Sequence, residues 1–417
     1  MTDGAAGGAR GAGPLGAVGS AVGGFPRAEL GVFFLALAVR FTYLLEIRGD
    51  PFFARPIVDA RMYDEMAVRI ASGEPLGGGA FTQAPLYPYF LGLVYRLLGH
   101  DYFLARFVQV AVGAAGCALI VAIGRRIFNP RVALLAGLTA ALYGTLVFYD
   151  AELLRPVLVI FLALCALLAL LAAAERPSRL RWGGAGLLLG LAAITWETTL
   201  LFVPAALLWL WRVLRPRLPA REIAGHAACL CLAAAAAILP VTLRNYRVSG
   251  DLVLVSAWGG VNFYLGNNAA AERTVAVQPG RDWDALLALP ERQAGLTRPA
   301  ARSRWFYRET FAFIREHPLA WAGLLGRKLA RFWDAAEFEP NNDLAHFRDA
   351  SALFRLLYRP GGPVVVPFGV VGPLALLGMI LLPAREARAR LLLLFTLAIM
   401  SVLVLYHVRA RYRLVAV

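Results

Sequence analysis

A chain of 417 residues of which 59% are hydrophobic carries more apolar surface than a single soluble core of that size buries, so a soluble globular protein is excluded and lipid must serve as part of its solvent. The formal net charge of +15 is not a nucleic-acid signal: the cations are almost all Arg, Lys328 being the single Lys, and they cluster in short loops between apolar segments as topology signals. The four cysteines, Cys117, Cys165, Cys229 and Cys231, lie inside apolar runs and predict neither a disulfide nor a metal site.

In chain order, residues 1–24 are rich in Gly and Ala and lack the basic n-region and cleavage pattern of a signal peptide, which predicts a disordered cytoplasmic tail before an uncleaved first span. Apolar segments close to the ~20 residues that cross roughly 30 Å of hydrocarbon as a helix fall at about 28–46, 103–124, 131–148, 156–174, 183–196, 198–212, 223–243, 363–382 and 391–408. They predict an all-α polytopic membrane protein with about nine or ten transmembrane helices. With the N-terminus inside, the loops around Arg125, Arg126 and Arg131, Arg176 to Arg181, Arg212 to Arg221, and Arg385 to Arg390 are all cytoplasmic, as the positive-inside rule requires.

The same topology divides the chain into a transmembrane core, 25–246, an extracytoplasmic insert, 247–360, and C-terminal helices, 361–417, which read as truncated. The first outer loop, 47–102, predicts a helix over 60–72, then a Gly-rich GEPLGGGA and an aromatic PLYPYFLGLVYRLLG too short to span and expected in the interface. The insert opens on strand-like VLVS and Gly-rich GGVNFYLGNN and turns helical over 302–317 and 319–334, which predicts a small mixed α/β cap. Gly259, Gly260 and Gly266 read as suppliers of positive φ in a turn-rich element.

The polar residues of interest fall on the outer side. In VDARMYDEMAVRI a helical turn of 100° per residue sets Asp59 on the apolar face with Tyr63, Met66 and Ile70; the alternative is an Asp59 that merely caps the helix. Asp150 and Glu152 form a second acidic pair in YDAELLRP, where a wetted, capping loop is the alternative. Cations gather as Arg244 and Arg247 in LRNYRVSGD, Arg327, Lys328 and Arg331 in GRKLARFWD, and Arg409, Arg411 and Arg413 in RARYR. Arg at a helix end usually snorkels to headgroups, yet three outer clusters run against the positive-inside bias. A carboxylate that takes an acceptor's proton, with fixed cations that stabilise a departing phosphate, is what moving a sugar from a lipid phosphate needs. One base opposite the leaving group implies inversion at the anomeric carbon, and the scheme calls for no metal and no cofactor.

At these residues the chain resembles the bacterial dolichyl-phosphate-mannose protein mannosyltransferase-like proteins, glycosyltransferase family 39 of the GT-C fold, with the lipid A aminoarabinose transferase as a relative. The resemblance runs over nearly the whole chain: Asp59 with Tyr63, QAPLYPYFLGLVYRLLG, YDAELL, LRNYRVSGD leading into GGVNFYLGNN, RKLARFWDAAEFEPNN and RYR. It implies that Asp59 takes the catalytic acid's place, with Asp150 and Glu152 in support. It also implies that Tyr63, Gln83, Arg244, Asn262, Asn267, Lys328, Glu337, Arg409 and Arg411 bind substrate. Two departures stand out: Thr82 and Gln83 replace an acid and a Lys before the Pro-Leu motif, and Trp196 and Glu197 replace an Arg-Pro pair.

The expectation is an inverting, polyprenyl-phosphate-sugar-dependent glycosyltransferase of the bacterial inner membrane. Its site faces the periplasm, and its acceptor is a protein, lipid or glycan. The rival readings are a transporter or lipid-binding protein, which predicts inverted repeats and mid-membrane charge, and an inactive scaffold in envelope glycan assembly.

Overall fold

The computed structural model describes residues 27–74, 76–77, 79–336, 344–358, 368–381 and 386–416. The N-terminal tail and the Glu337 assignment lie outside them. The principal helices are α1 (Arg27–Glu46), α2 (Val58–Ser72), α3 (Leu86–Leu98), α4 (Tyr102–Ile127), α5 (Pro130–Leu142), α6 (Gly144–Ala151), α7 (Pro156–Glu175) and α8 (Arg179–Thr195). They continue as α9 (Phe202–Leu214), α10 (Ala220–Ser249), α11 (Gly259–Gly266), α12 (Pro299–Glu316), α13 (Pro318–Trp333), α14 (Phe368–Leu381) and α15 (Ala387–Leu405). Local sequence sets several starts. Asp101 accepts from Phe103 N and Leu104 N at the head of α4, Asn129 caps α5 ahead of Pro130, and Pro156 opens α7 where its missing N–H costs nothing.

Among the described residues, six segments are long and apolar enough to cross a membrane: Arg27–Gly49, Tyr102–Ile127, Pro156–Glu175, Glu197–Leu214, Ala220–Ser249 and Ala387–Leu405. The bent pair α5 and α6 makes a seventh if counted as one span. The chain is thus an all-α polytopic membrane protein, with fewer full spans among the described residues than the nine or ten expected. Two of the expected spans fall short: α8 has 17 residues and the described part of α14 has 14. A third is broken, its halves meeting at 56° around Tyr143.

A break at membrane depth frees carbonyls that hydrocarbon cannot solvate, so other side chains must reach them. Arg40, fully buried in α1, does so. Its guanidinium donates to Ala141 O at 3.1 Å and to Ala140 O at 3.4 Å, while Nε pairs with Asp150 Oδ2 at 2.7 Å. From α4, Arg106 donates to Ala151 O at 2.9 Å and to Phe53 O at 3.0 Å, and Gln109 donates to Asp150 O at 3.2 Å and Glu152 O at 2.6 Å. The irregular stretch after α6 is therefore held by polar side chains of a neighbouring helix.

Close helix approach elsewhere relies on small residues. A Cβ on Gly186 would overlap the Leu230 carbonyl, and one on Gly190 would lie 2.6 Å from Ala234 O, so α8 and α10 touch backbone to backbone. Gly183, on the same helix, has open space around it. Gly186→Ala is expected to cost about 1–3 kcal/mol and lower the melting temperature in detergent, with Gly183→Ala as the neutral control; equal melting of the two would contradict this packing.

The described part of the insert is helical, with no strand among the described residues, so the mixed α/β cap is not supported. The alternation that suggests a strand is real, for Val253 and Val255 are buried while Leu252 and Leu254 are exposed. Its backbone, however, is satisfied by side chains. Asn245 Nδ2 donates to Val253 O and Val255 O at 3.1 and 3.0 Å, and Thr242 Oγ1 donates to Leu254 O at 2.7 Å. GGVNFYLGNN is likewise the helix α11 and its exit. Gly259, Gly260 and Gly266 do not take positive φ. They are small because Tyr307, the Ser303 carbonyl and the Tyr406 carbonyl press against them.

Candidate active site

The segments that follow α1, α6, α8, α10 and α15 all emerge at one end of the bundle, and there they enclose a cavity of about 270 Å³. Asp59 and Tyr63 of α2, Gln83, and Arg155 at the head of α7 form one side. Trp196, Asn262 and the post-α15 residues His407, Arg409, Arg411 and Tyr412 complete it. Of the expected site residues, Asp59, Tyr63, Gln83, Asn262, Arg409 and Arg411 line this space together.

Asp59 is not the cap of its helix. Ile57 occupies the N-cap, Val58 has φ 51°, a region that strains a β-branched residue, and Asp59 follows in the first turn. Its Oδ2 pairs with Arg411 Nη1 at 2.7 Å, the carboxylate 29% exposed and the guanidinium 6%. Burial pushes the Asp59 carboxyl up, but Arg411, with Arg155 and Arg409 behind it, overcomes this and holds it below the usual carboxylate value. Burial raises the Tyr63 phenol to about 12, so it stays a hydrogen-bond donor at neutral pH. His407 is pushed well below the ordinary histidine value by burial and then by Arg409, Lys328 and Arg411; its Nδ1 lies 3.3 Å from the Asn262 carbonyl.

Three guanidiniums, those of Arg155, Arg409 and Arg411, thus face the one carboxylate among the described residues that line the cavity. Arg155 stacks 5.5 Å from the Trp196 ring and donates to Gln83 Oε1 at 3.4 Å, and Arg409 donates to Val275 O at 3.2 Å. Clustered guanidiniums suit an anion, and their planar donor geometry suits phosphate.

The remaining expected residues lie elsewhere. Asp150 is buried in its pair with Arg40, and neither it nor Glu152 lines the cavity. Arg244 grips the Gly-rich loop through the carbonyls of Leu76, Gly77 and Gly79 and stacks 4.0 Å over Phe81. Asn267 and Lys328 form a buried knot beside the cavity. Lys328 Nζ and Trp321 Nε1 both donate to Asn267 Oδ1 at 2.9 Å, Asn267 Nδ2 donates to Leu405 O at 2.8 Å, and burial draws the ammonium down to about 7. Arg155, His407 and Tyr412 are cavity residues that sequence patterns alone do not single out. The available signal for Arg155 is its place in YDAELLRP, beside acids that are more conspicuous.

Residues 82–242 match the family model described as dolichyl-phosphate-mannose-protein mannosyltransferase. The match covers 161 of the 417 residues, and over that stretch the chain is similar to glycosyltransferases of the GT-C type. The matched stretch includes Gln83, Arg155 and Trp196 and stops short of Asp59 and the Arg409–Arg411 segment at either end. No curated protein and no solved structure matches the chain.

Proposed function

We infer that the protein is an inverting glycosyltransferase that moves a sugar from a polyprenyl-phosphate carrier to a hydroxyl of a protein, lipid or glycan acceptor. The observation that carries this reading is the gathering of the Arg155, Arg409 and Arg411 guanidiniums around a cavity that also holds the Asp59 carboxylate. Arg155, Arg409 and Arg411 take the donor phosphate; Asp59 takes the acceptor's proton. The acceptor oxygen forms a bond to the anomeric carbon as the bond from that carbon to the phosphate oxygen breaks. The negative charge released on the polyprenyl phosphate falls where the guanidiniums already sit, so little reorganisation is needed. Donor phosphate competes with Asp59 for Arg411, and as that pair loosens the carboxylate becomes a better base.

Sidedness rests on charge. The end of the bundle opposite the cavity carries Arg125, Arg126 and Arg388, paired there with Glu29 and Glu175, together with the Arg-rich turns before α8 and α10. By the positive-inside rule that end belongs in the cytoplasm, which supports a cavity facing the other side of the membrane.

Arg411→Gln tests the reading. In membranes supplied with polyprenyl-phosphate sugars, sugar transfer followed by mass spectrometry is expected to fall about 100-fold or more, the scale of losing one aligned charge-stabilising donor. Transfer at the wild-type rate would remove Arg411 from the mechanism.

A further inference from the structure

A second chamber of about 240 Å³ adjoins the first and shares with it a wall made by Arg155, Trp196, Asn262, His407 and Tyr412. The two differ in chemistry. The second lacks Asp59, Arg409 and Arg411 and has instead Glu197, Thr198, Ser256, Tyr307 and Tyr406, with Leu201 and Leu254 among its aliphatic residues. Ser256 Oγ donates to Glu197 Oε1 at 2.8 Å, and the Tyr307 and Tyr406 hydroxyls lie 3.2 Å apart. Glu197 Oε2 and Thr198 Oγ1 are buried and have no hydrogen-bond partner among the described residues.

A carboxylate only accepts hydrogen bonds, so it repels phosphate oxygens and invites groups that donate. A buried acceptor left unpaired is destabilising, and a donating ligand group relieves that cost. Hydroxyls of a sugar ring are such donors, and the rings of Trp196, Tyr307, Tyr406 and Tyr412 offer flat apolar faces for the ring's C–H side. The shared Arg155 stands between this chamber and the cationic one, where a phosphate bound on one side would carry its sugar to the other.

We propose that the second chamber is the sugar subsite, in which Glu197 and Ser256 accept and donate hydrogen bonds to the hydroxyls of the donor's sugar while its phosphate lies on the guanidiniums next door. This rests on the lipid-phosphate reading of the cationic cavity and deepens it. It also accounts for Trp196 and Glu197, which depart from the family's Arg-Pro pair. Trp196 forms the wall, and Glu197 reads the ring.

The test compares binding of bare polyprenyl phosphate with binding of polyprenyl-phospho-mannose and polyprenyl-phospho-glucose, using the whole protein in nanodiscs and native mass spectrometry. Wild type is expected to hold at least one sugar-loaded lipid more tightly than the bare lipid. Glu197→Gln is expected to weaken the loaded lipid about tenfold or more and leave the bare lipid unchanged, which also shows that the variant is folded. Parallel weakening of both lipids would make Glu197 a structural residue and overturn the proposal, as would unchanged binding of both. If wild type holds bare and loaded lipid equally, the sugar subsite fails while the phosphate site stands. If wild type holds no polyprenyl phosphate, the phosphate site fails and the subsite with it.

Discussion

Asp59→Asn is expected to slow turnover about 10²–10⁴-fold while donor lipid remains bound. The amide keeps the size of the side chain and a contact for Arg411, but it cannot accept the acceptor's proton, and general base catalysis contributes on that scale. Donor affinity should hold or rise, because Arg411 no longer shares its guanidinium with a carboxylate. Initial rates together with donor binding separate the two effects. A parallel loss of binding and rate would make Asp59 a structural partner of Arg411, and equal rates would remove it altogether. The pH profile carries an independent sign. In the free enzyme the Arg411 pair holds Asp59 below the ordinary carboxylate value of about 4, so kcat/KM should stay flat from neutral pH down past that value and fall only below it.

The second large effect is on stability, at Asp150. Its carboxylate sits 4% exposed against an Arg40 that is 1% exposed, deep in the bundle. Removing one member of a buried pair leaves the other charge uncompensated at a cost of about 3–5 kcal/mol, whereas removing both costs far less than twice that. Asp150→Ala should therefore lower the melting temperature sharply, and adding Arg40→Met should restore much of the loss. If the double variant melts at the sum of the two single effects, the pair is not coupled. Asp150→Ala is also expected to affect turnover only through folding, since the residue does not line the cavity.

These two acids show what is legible in the sequence. Each is visible as a carboxylate near the outer end of a span, and hydropathy places them on the same side. It cannot separate them, because the distinction depends on partners far away in the chain. Asp59 meets Arg411, at the other end of the sequence, in a cavity, and Asp150 meets Arg40 inside the bundle. The long apolar runs are readable as spans because hydrocarbon thickness imposes a length. The break at Tyr143 is not, because its carbonyls are satisfied from α1 rather than by local sequence. Val253 and Val255 show the period of a strand, yet Asn245 takes the place of a partner strand. Arg155 is hidden in a turn whose acids are more conspicuous, and Trp196 and Glu197 register only as departures from a pattern. Arg155 and Trp196 belong to the wall shared by the two chambers, and Glu197 lines the second.

The most direct measurement is native mass spectrometry of the protein purified gently from its own membranes, wild type beside the Arg155→Gln, Arg411→Gln double variant. The proposed function predicts that wild type carries a polyprenyl phosphate or its sugar-loaded form and that the double variant has lost it. A wild-type protein free of polyprenyl phosphate, or a double variant that retains it to the same extent, would contradict the assignment of the cationic cavity to a lipid-linked donor.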